Sequence, residues 1–437
     1  MNQKRLAKFV ALFLSVGLLV TACGGGAKPA ENTPAPAAAA PKEVAIGAIY
    51  PLSGPSAVAG KDLTNGVTLA MEIINGQHPE LDLPQAKWKG IPNLGNAQLK
   101  VVFADHQADP NKGKSEAERL ITQEKVVALQ GGYNSAVTAA IAPVAERYEV
   151  PHLNADSTSP SLTEQGFKYF FRTTPHDGSF VENAYQFFDD LKKAGTIKGT
   201  EKIAMAMEDG LWGQDTAKSA KALAGKNGWN IVEEIAYSSK AANVDAEVQR
   251  IKAKNPEFVM MASYGPDAIL FLKAFKGMDV NPKLIWGNDS GFVDTQFIKT
   301  LGKDAEYLVS REVWANDLAA KKPIIGQLNT LFKSKFGAEL NGSSARALQG
   351  TLVLADAINR AKSTDPKAIQ AALKATNLGA GDIVMPWKGI KFDEKGQNTL
   401  GAGIIVQVQN GAYTTVWPFD VAAGKLVYPI PAWKDRK

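Results

Sequence analysis

From Val44 onward the chain alternates short apolar, β-branched runs with stretches of helical periodicity, and no other feature restricts its fold as much. "VAIGAIY" (44–50) reads as a buried strand. The following "KDLTNGVTLAMEIIN" places Leu63, Val67, Ala70, Met71 and Ile74 on one helical face. Strand "LKVVFA" (99–104) comes next, then a helix announced by Asp109 as N-cap and Pro110 at its first position. "VVAL" (126–129), the helical "AVTAAIAPVAERY" and strand "VPHL" (150–153) complete a first series. A second series runs through strands 202–207, 230–237, 257–262 and 283–287, with helices at 214–226, 243–253 and 266–276 between them. Strand, helix, strand implies right-handed crossovers and parallel sheets, so two series predict two doubly wound α/β lobes. The extended "YFFRTTP" (169–175) reads as a crossing between them. Beyond Val309 the pattern turns helix-rich, with Leu348, Leu352, Ala355 and Ile358 on one face, and strands return near 389–392 and 402–417.

A chain of 437 residues, 45% hydrophobic and 21% charged, is long enough and ordinary enough to bury two cores. Its amino end is different. Lys4, Arg5 and Lys8 precede an uncharged apolar run from Phe9 to Val20 and small residues before Cys23, the three parts of a secretory signal. The run is too short to span a bilayer comfortably. "VTAC" resembles a bacterial lipobox, which implies a signal peptide over 1–22 and a diacylglycerol on Cys23; a plain signal cut near Ala22 is the alternative. Cys23 is the single cysteine, so no intramolecular disulfide is available. Residues 24–42 are Gly, Ala and Pro with no large apolar side chain and read as a tether. Loss of the first 22 residues removes three of 49 basic side chains against 44 acidic ones, which takes the formal charge from +5 to +2. A near-neutral mature chain gives no argument for nucleic acid or a polybasic membrane surface.

Compact catalytic signatures are absent: there is no G-x-S-x-G, H-E-x-x-H, G-x-x-x-x-G-K-[ST] or G-x-G-x-x-G. His78, His106, His152 and His176 lie without ligand spacing and read as surface or structural residues, so neither a metal nor an enzyme is expected. Polar and aromatic clusters instead follow the strands, where open parallel sheets hold ligands. They are "PLSGPSAVAG", "QGGYNSAVT" and "NADSTSPS" in the first series, and "EDGLWGQD", "SYGPDA" and "NDSG" in the second. Ser135 alone reads equally well as a helix cap, and Trp212 and Tyr264 alone as packing residues. Position at one sheet edge is what argues for a site. "NADSTSPS" (154–161) fits a turn or the wall of a small-molecule site; a phosphate cradle is disfavoured by the charge of Asp156. As a turn, Asp156 bonds its own backbone two residues on.

Taken together, the lipobox, the tether, "IGAIYPLSGPSAVAG", "DPNKGKSEAERLI", "VPHLNADSTSPSLTEQGFKYFFRTTP" and "KLIWGND" resemble the branched-chain amino acid type of periplasmic binding protein, from Val44 to about Asp393. The resemblance implies two lobes joined by three crossovers, near Arg172–Thr174, Val309–Arg311 and 387–396. Lobe one then takes 43–172 plus 312–388, and lobe two 175–309 plus about 396–437. It further implies that Ser135 and Thr158 hold a ligand carboxylate, that Asp289 takes an ammonium, and that Trp212 and Tyr264 close over the ligand, with Tyr133, Asp156 and Ser157 completing the site. An acid at 156, Ala59 in place of an aromatic, and Trp212 in place of Tyr depart from the family. The insertion 83–96 reads as an exposed loop, with Trp88 near the cleft rim as the other option. The implied role is a lipid-anchored, non-catalytic receptor without cofactor, delivering an amino acid or similar small polar solute to the permease and ATPase of an ABC importer. A ligand sensor and a surface hydrolase are the alternatives.

Overall fold

The structure, a computed structural model, describes residues 41–436; the signal, Cys23 and nearly all of the tether lie outside the described residues. The first series forms β1 (Glu43–Tyr50), α1 (Ala57–Gly76), β2 (Gln98–Asp105), α2 (Pro110–Thr122), β3 (Leu129–Gly131), α3 (Ser135–Tyr148), β4 (His152–Asn154) and β5 (Phe170–Arg172). The five strands make one wholly parallel sheet in the order β2-β1-β3-β4-β5. Asp109 caps α2 as its sequence predicts, accepting from the Asn111 and Lys112 N–H groups.

The second series forms α4 (Asp177–Lys193), β6 (Lys202–Glu208), α5 (Leu211–Asn227), β7 (Asn230–Tyr237), α6 (Asp245–Lys254), β8 (Phe258–Ala262), α7 (Gly265–Gly277), β9 (Leu284–Gly287), α8 (Phe297–Leu301) and β10 (Val309–Glu312). After it come α9 (Ile324–Phe336), α10 (Gly342–Ala361), α11 (Pro366–Lys374), the short pair β11 (Asn377–Gly379) and β12 (Gly389–Lys391), and the hairpin β13 (Ile404–Gln409) and β14 (Ala412–Trp417). The second sheet, β14-β13-β10-β9-β8-β6-β7, is parallel except at one edge, where β13 and β14 run antiparallel. Parallel pattern reasoning misses that edge. Its signal is "NG" at 410–411, where both residues take positive φ, the geometry of a tight hairpin turn.

Helices cover both faces of each sheet. In the first lobe α1 and α10 lie on one face, and α2 and α3 supply Leu120, Ile121, Val137 and Ile141 to the other. In the second, α4 and α5 face α6 and α7 across the strands. The α1–α10 contact is close: a Cβ on Gly66 would lie 2.1 Å from the Ser344 carbonyl oxygen, so only glycine fits there.

The chain passes between the sheets three times. Arg172 is bonded on both sides to the third passage: its N–H donates to the Gly396 carbonyl and its carbonyl accepts from Asn398 N–H. Val309–Arg311 lies within β10 of the second sheet, so the second passage begins only after Glu312. The insertion 83–96 is no exposed loop. Leu83, Ala86, Ile91 and Leu94 are buried in the first core, Trp88 packs against that core, and Asn93 donates two hydrogen bonds to Asn359 of α10, from its backbone N–H and its side-chain amide.

Candidate functional site

Loops at the carboxyl edges of the two sheets face each other and enclose a space of about 20 Å³ lined by ten residues. Tyr133, Asp156 and Thr158 come from the first lobe's loops and Ser135 from the first residue of α3; Tyr264, Asp289 and Ser290 come from the second lobe's loops and Trp212 from the first turn of α5; Arg311 and Arg346 come from β10 and α10. The lobes touch here. The Tyr133 and Ser290 hydroxyls are hydrogen-bonded at 2.8 Å, and Thr158 donates to Asp177 at the start of α4 at 2.7 Å. Tyr133, Asp289 and Ser290 all hold positive φ without being glycine, backbone strain of the kind that clusters at ligand sites.

"NADSTSPS" folds as its first residue directs. Asn154, not Asp156, makes the Asx turn: its Oδ1 accepts from the N–H groups of Asp156 and Ser157 at 3.0 and 2.9 Å. That leaves the Asp156 carboxyl free to point inward, where Tyr50 Oη donates to it at 3.2 Å and Arg346 Nε stands 3.7 Å away. Arg172 secures the rest of the loop by donating to the Ser159 carbonyl at 2.6 Å and to Thr163 Oγ1 at 3.1 Å. Ser157 turns away from the cleft; its hydroxyl donates to the Tyr133 carbonyl and pairs with Thr138 of α3. Seven of the eight predicted residues therefore converge, and Ser157 supports the wall from behind.

Two buried arginines organise the charge. Asp289 Oδ2 accepts from Arg311 Nη1 and from Arg346 Nη1, each at 2.6 Å, and the Arg346 bond joins α10 to the second lobe. Arg311 also donates to Asp177 at 3.1 Å and stacks over Phe180, 3.9 Å from its ring centre. Burial would lift the Asp289 carboxyl, but the two guanidinium groups outweigh it and hold it below its ordinary range. Asp156 goes the other way. Burial pushes it up to about 7, against the opposing pull of Arg346. Glu312 likewise rises to about 7, through burial and the nearby charge of Asp289. Among the described residues, Asp156 Oδ1, Asp289 Oδ1, Arg346 Nε and Trp212 Nε1 are buried without hydrogen-bond partners. Tyr264 stands between two other rings, 5.0 Å from Trp212 and 6.0 Å from Tyr133. No group of three His, Cys, Asp or Glu side chains among the described residues is placed to hold a metal ion.

This two-lobed frame, with a polar site between opposed sheet edges, has counterparts. The model of the family described as periplasmic binding protein matches residues 43–412. The chain belongs to that family. Relatives of this binding protein include Leu/Ile/Val-binding protein homolog 7 of Brucella abortus, 27% identical over 421 residues that span 95% of this chain and 98% of the relative. Homolog 8 of the same organism is 26% identical over 89% of this chain and 94% of its own. Among solved structures, the leucine-binding protein LivK of Thermotoga maritima superposes with a TM-score of 0.72 at 22% identity, covering 85% of this chain and 97% of that one. An ABC transporter solute-binding protein of R. palustris, in complex with 4-hydroxybenzoate, has a TM-score of 0.70 at 20% identity over 90% and 99% of the two chains. The binding protein thus shares its fold with a protein named for leucine and with one solved in complex with 4-hydroxybenzoate.

Proposed function

We propose that this chain is the extracytoplasmic solute receptor of an ABC importer and that it captures an amino acid between its lobes for delivery to a permease. One observation carries the reading: two unpartnered carboxylate oxygens, on Asp156 and Asp289, share the site with the hydroxyls of Ser135 and Thr158 and the first turn of α3. A carboxylate stripped of water needs several donors, which a helix start and hydroxyls supply, and an ammonium needs acceptors. Ser135 and, once its hydroxyl turns from Asp177, Thr158 are assigned to the solute carboxylate, Asp289 and Asp156 to its ammonium, and Trp212, Tyr264 and Tyr133 to its flanks. A bound solute favours the closed lobes because only there do both touch it. No nucleophile–base pair is assigned, and the reading is non-catalytic.

Two guanidinium groups beside three rings favour a second reading, an aromatic acid bound through its carboxylate, as the 4-hydroxybenzoate complex of a structural neighbour suggests. Mass spectrometry of the solute released by denaturation, followed by calorimetry against amino acids, amides and aromatic acids, decides between them. Recovery of a zwitterion supports the first reading and of an aromatic acid the second; turnover of any solute overturns both in favour of an enzyme. The anchor is proposed at Cys23, and Cys23→Ser is expected to release the protein from the membrane fraction. Co-purification with a permease, rather than with a signalling partner, supports transport over sensing.

A further inference from the structure

Between the lobes, and sharing no wall residue with the ten-residue site, lies a chamber of about 700 Å³, inside the range of small-molecule pockets. Segments 314–317 and 338–342 line it from the first lobe; α8, the loop before it and the β13–β14 hairpin line it from the second. Strand β10 contributes to both spaces. Successive strand residues project to opposite sides, and Arg311 lines the cleft where Glu312 lines the chamber.

Glu312 is 3% exposed. Its Oε2 accepts from the Val313 and Trp314 N–H groups, whereas Oε1 takes no hydrogen bond among the described residues and, unlike Asp156 Oδ1 and Asp289 Oδ1, is not sealed from water. The carboxyl lies against Gly342 of the same wall, where a Cβ would collide with both of its oxygens. Asp294, 9% exposed, also lines the chamber; its Oδ1 accepts from Gln296 N–H, and Oδ2 takes no bond among the described residues. The nearby arginines are committed elsewhere, Arg311 to Asp177 and Asp289, and Arg346 to Asp289 and Asp156. The other two acids of the wall are satisfied, Glu339 by Lys333 and Asp317 by Thr415, and Lys299 is exposed. A carboxylate buried with a free oxygen and no counter-charge is costly, and an incoming cation relieves it. No three such side chains among the described residues are placed for a metal ion, while Val293, Ile298, Trp314 and Leu340 offer apolar wall. We propose that this chamber is a second binding site, for a primary amine on an apolar body, whose ammonium donates to Glu312 Oε1 with Asp294 adding negative charge. It stands whichever solute the cleft holds.

Burial and the charge of Asp289 hold the Glu312 carboxyl up at about 7, against Arg346 and Arg311, and burial and Asp62 raise Asp294 to about 6. The ammonium needs Glu312 ionised, so its affinity should rise about tenfold from pH 6 to pH 8 through that group alone. The experiment is calorimetry at both pH values with hexylamine, and with hexanol and hexanoate as the uncharged and anionic forms of the same body, on the parent, Glu312→Gln and Asp289→Ala. Hexylamine should bind the parent at least tenfold more tightly than either counterpart and show the rise with pH. Glu312→Gln keeps an acceptor for the Val313 and Trp314 N–H groups; it should cut hexylamine affinity about tenfold and remove most of the pH dependence. Asp289→Ala should keep the preference for hexylamine over hexanol. Absence of hexylamine binding, counterparts that bind as tightly, or a parent affinity flat with pH overturns the inference, whether or not the glutamine variant folds. Hexylamine binding kept in Glu312→Gln and lost in Asp289→Ala would put the amine in the cleft and overturn it too.

Discussion

Asp156→Asn should change how stability depends on pH, and the size of the change follows from the burial of one carboxyl. In the folded protein Asp156 titrates at about 7 against an ordinary 3.8, because burial penalises its charge more than Arg346 relieves it. Through that window the folded state holds a proton that the unfolded chain has released, so stability falls as pH rises. The penalty is nearly absent below the unfolded value and complete above the folded one. Each tenfold change in proton affinity corresponds to about 1.4 kcal/mol, which makes the full penalty roughly 4 kcal/mol; between pH 5 and pH 8 it grows by about 2–3 kcal/mol. Asparagine has the same shape, still accepts from Tyr50, and does not titrate. Reversible urea unfolding of parent and variant at pH 5, 6, 7 and 8 isolates this contribution, because the other raised carboxyls, Asp62, Glu208, Asp267, Asp294 and Glu312, are common to both. The variant should gain about 2–3 kcal/mol on the parent between the two extremes. Parallel profiles would refute this reasoning and place the Asp156 carboxylate, ionised, in a satisfied ion pair with Arg346.

Three further outcomes are expected. Arg346→Met removes the guanidinium that ties α10 to Asp289; it should destabilise the protein by roughly 3 kcal/mol, the low end for a broken buried pair because Arg311 remains, and small-angle scattering of the ligand-free protein should report a larger radius of gyration. Asp289→Ala should weaken amino-acid binding at least tenfold by calorimetry, and unaltered affinity would end its assignment to the ammonium. Gly66→Ala forces a Cβ against the Ser344 backbone and should cost about 1–3 kcal/mol in urea unfolding, with α1 and α10 pushed apart.

The strands were legible because most of them are buried on both faces and so appear as unbroken apolar runs; "KIAMAM" and "EFVMMA" can hardly be read otherwise. Helix α2 announced its own start through Asp109 and Pro110. Seven site residues were legible for a different reason. In parallel sheets the carboxyl edge is where ligands gather, and each residue follows a strand.

Arg311 and Arg346 were missed because nothing local marks an arginine as buried. Its partners decide that, and Asp289 is distant in sequence from Arg346. A signal existed: in "SSARALQGTLVLA" Arg346 is the one charge in the first three turns of α10, before Asp356, and the residues of that helix are mostly buried. Asp156 was similarly ambiguous until Asn154 took the turn, since either side chain can bond a backbone N–H two residues on. The 83–96 segment looks like a loop for lack of periodicity, yet Leu83, Ile91 and Leu94 serve as pegs in the core.

The packing of α10 over the first sheet and against α1 has a consequence for how the molecule is assembled. The sheet of the first lobe is complete by Arg172, but α10, which shares the cover of one of its faces with α1, begins only at Gly342. The second sheet waits as well, because its β13–β14 edge lies beyond residue 403. A ribosome that has made three quarters of this chain has therefore finished neither lobe. Non-local closure of this kind makes folding slow, and the exposed faces invite aggregation until the last hundred residues arrive. The two lobes should therefore fold late and together, and a truncation before α10 should give an insoluble product and not a stable half.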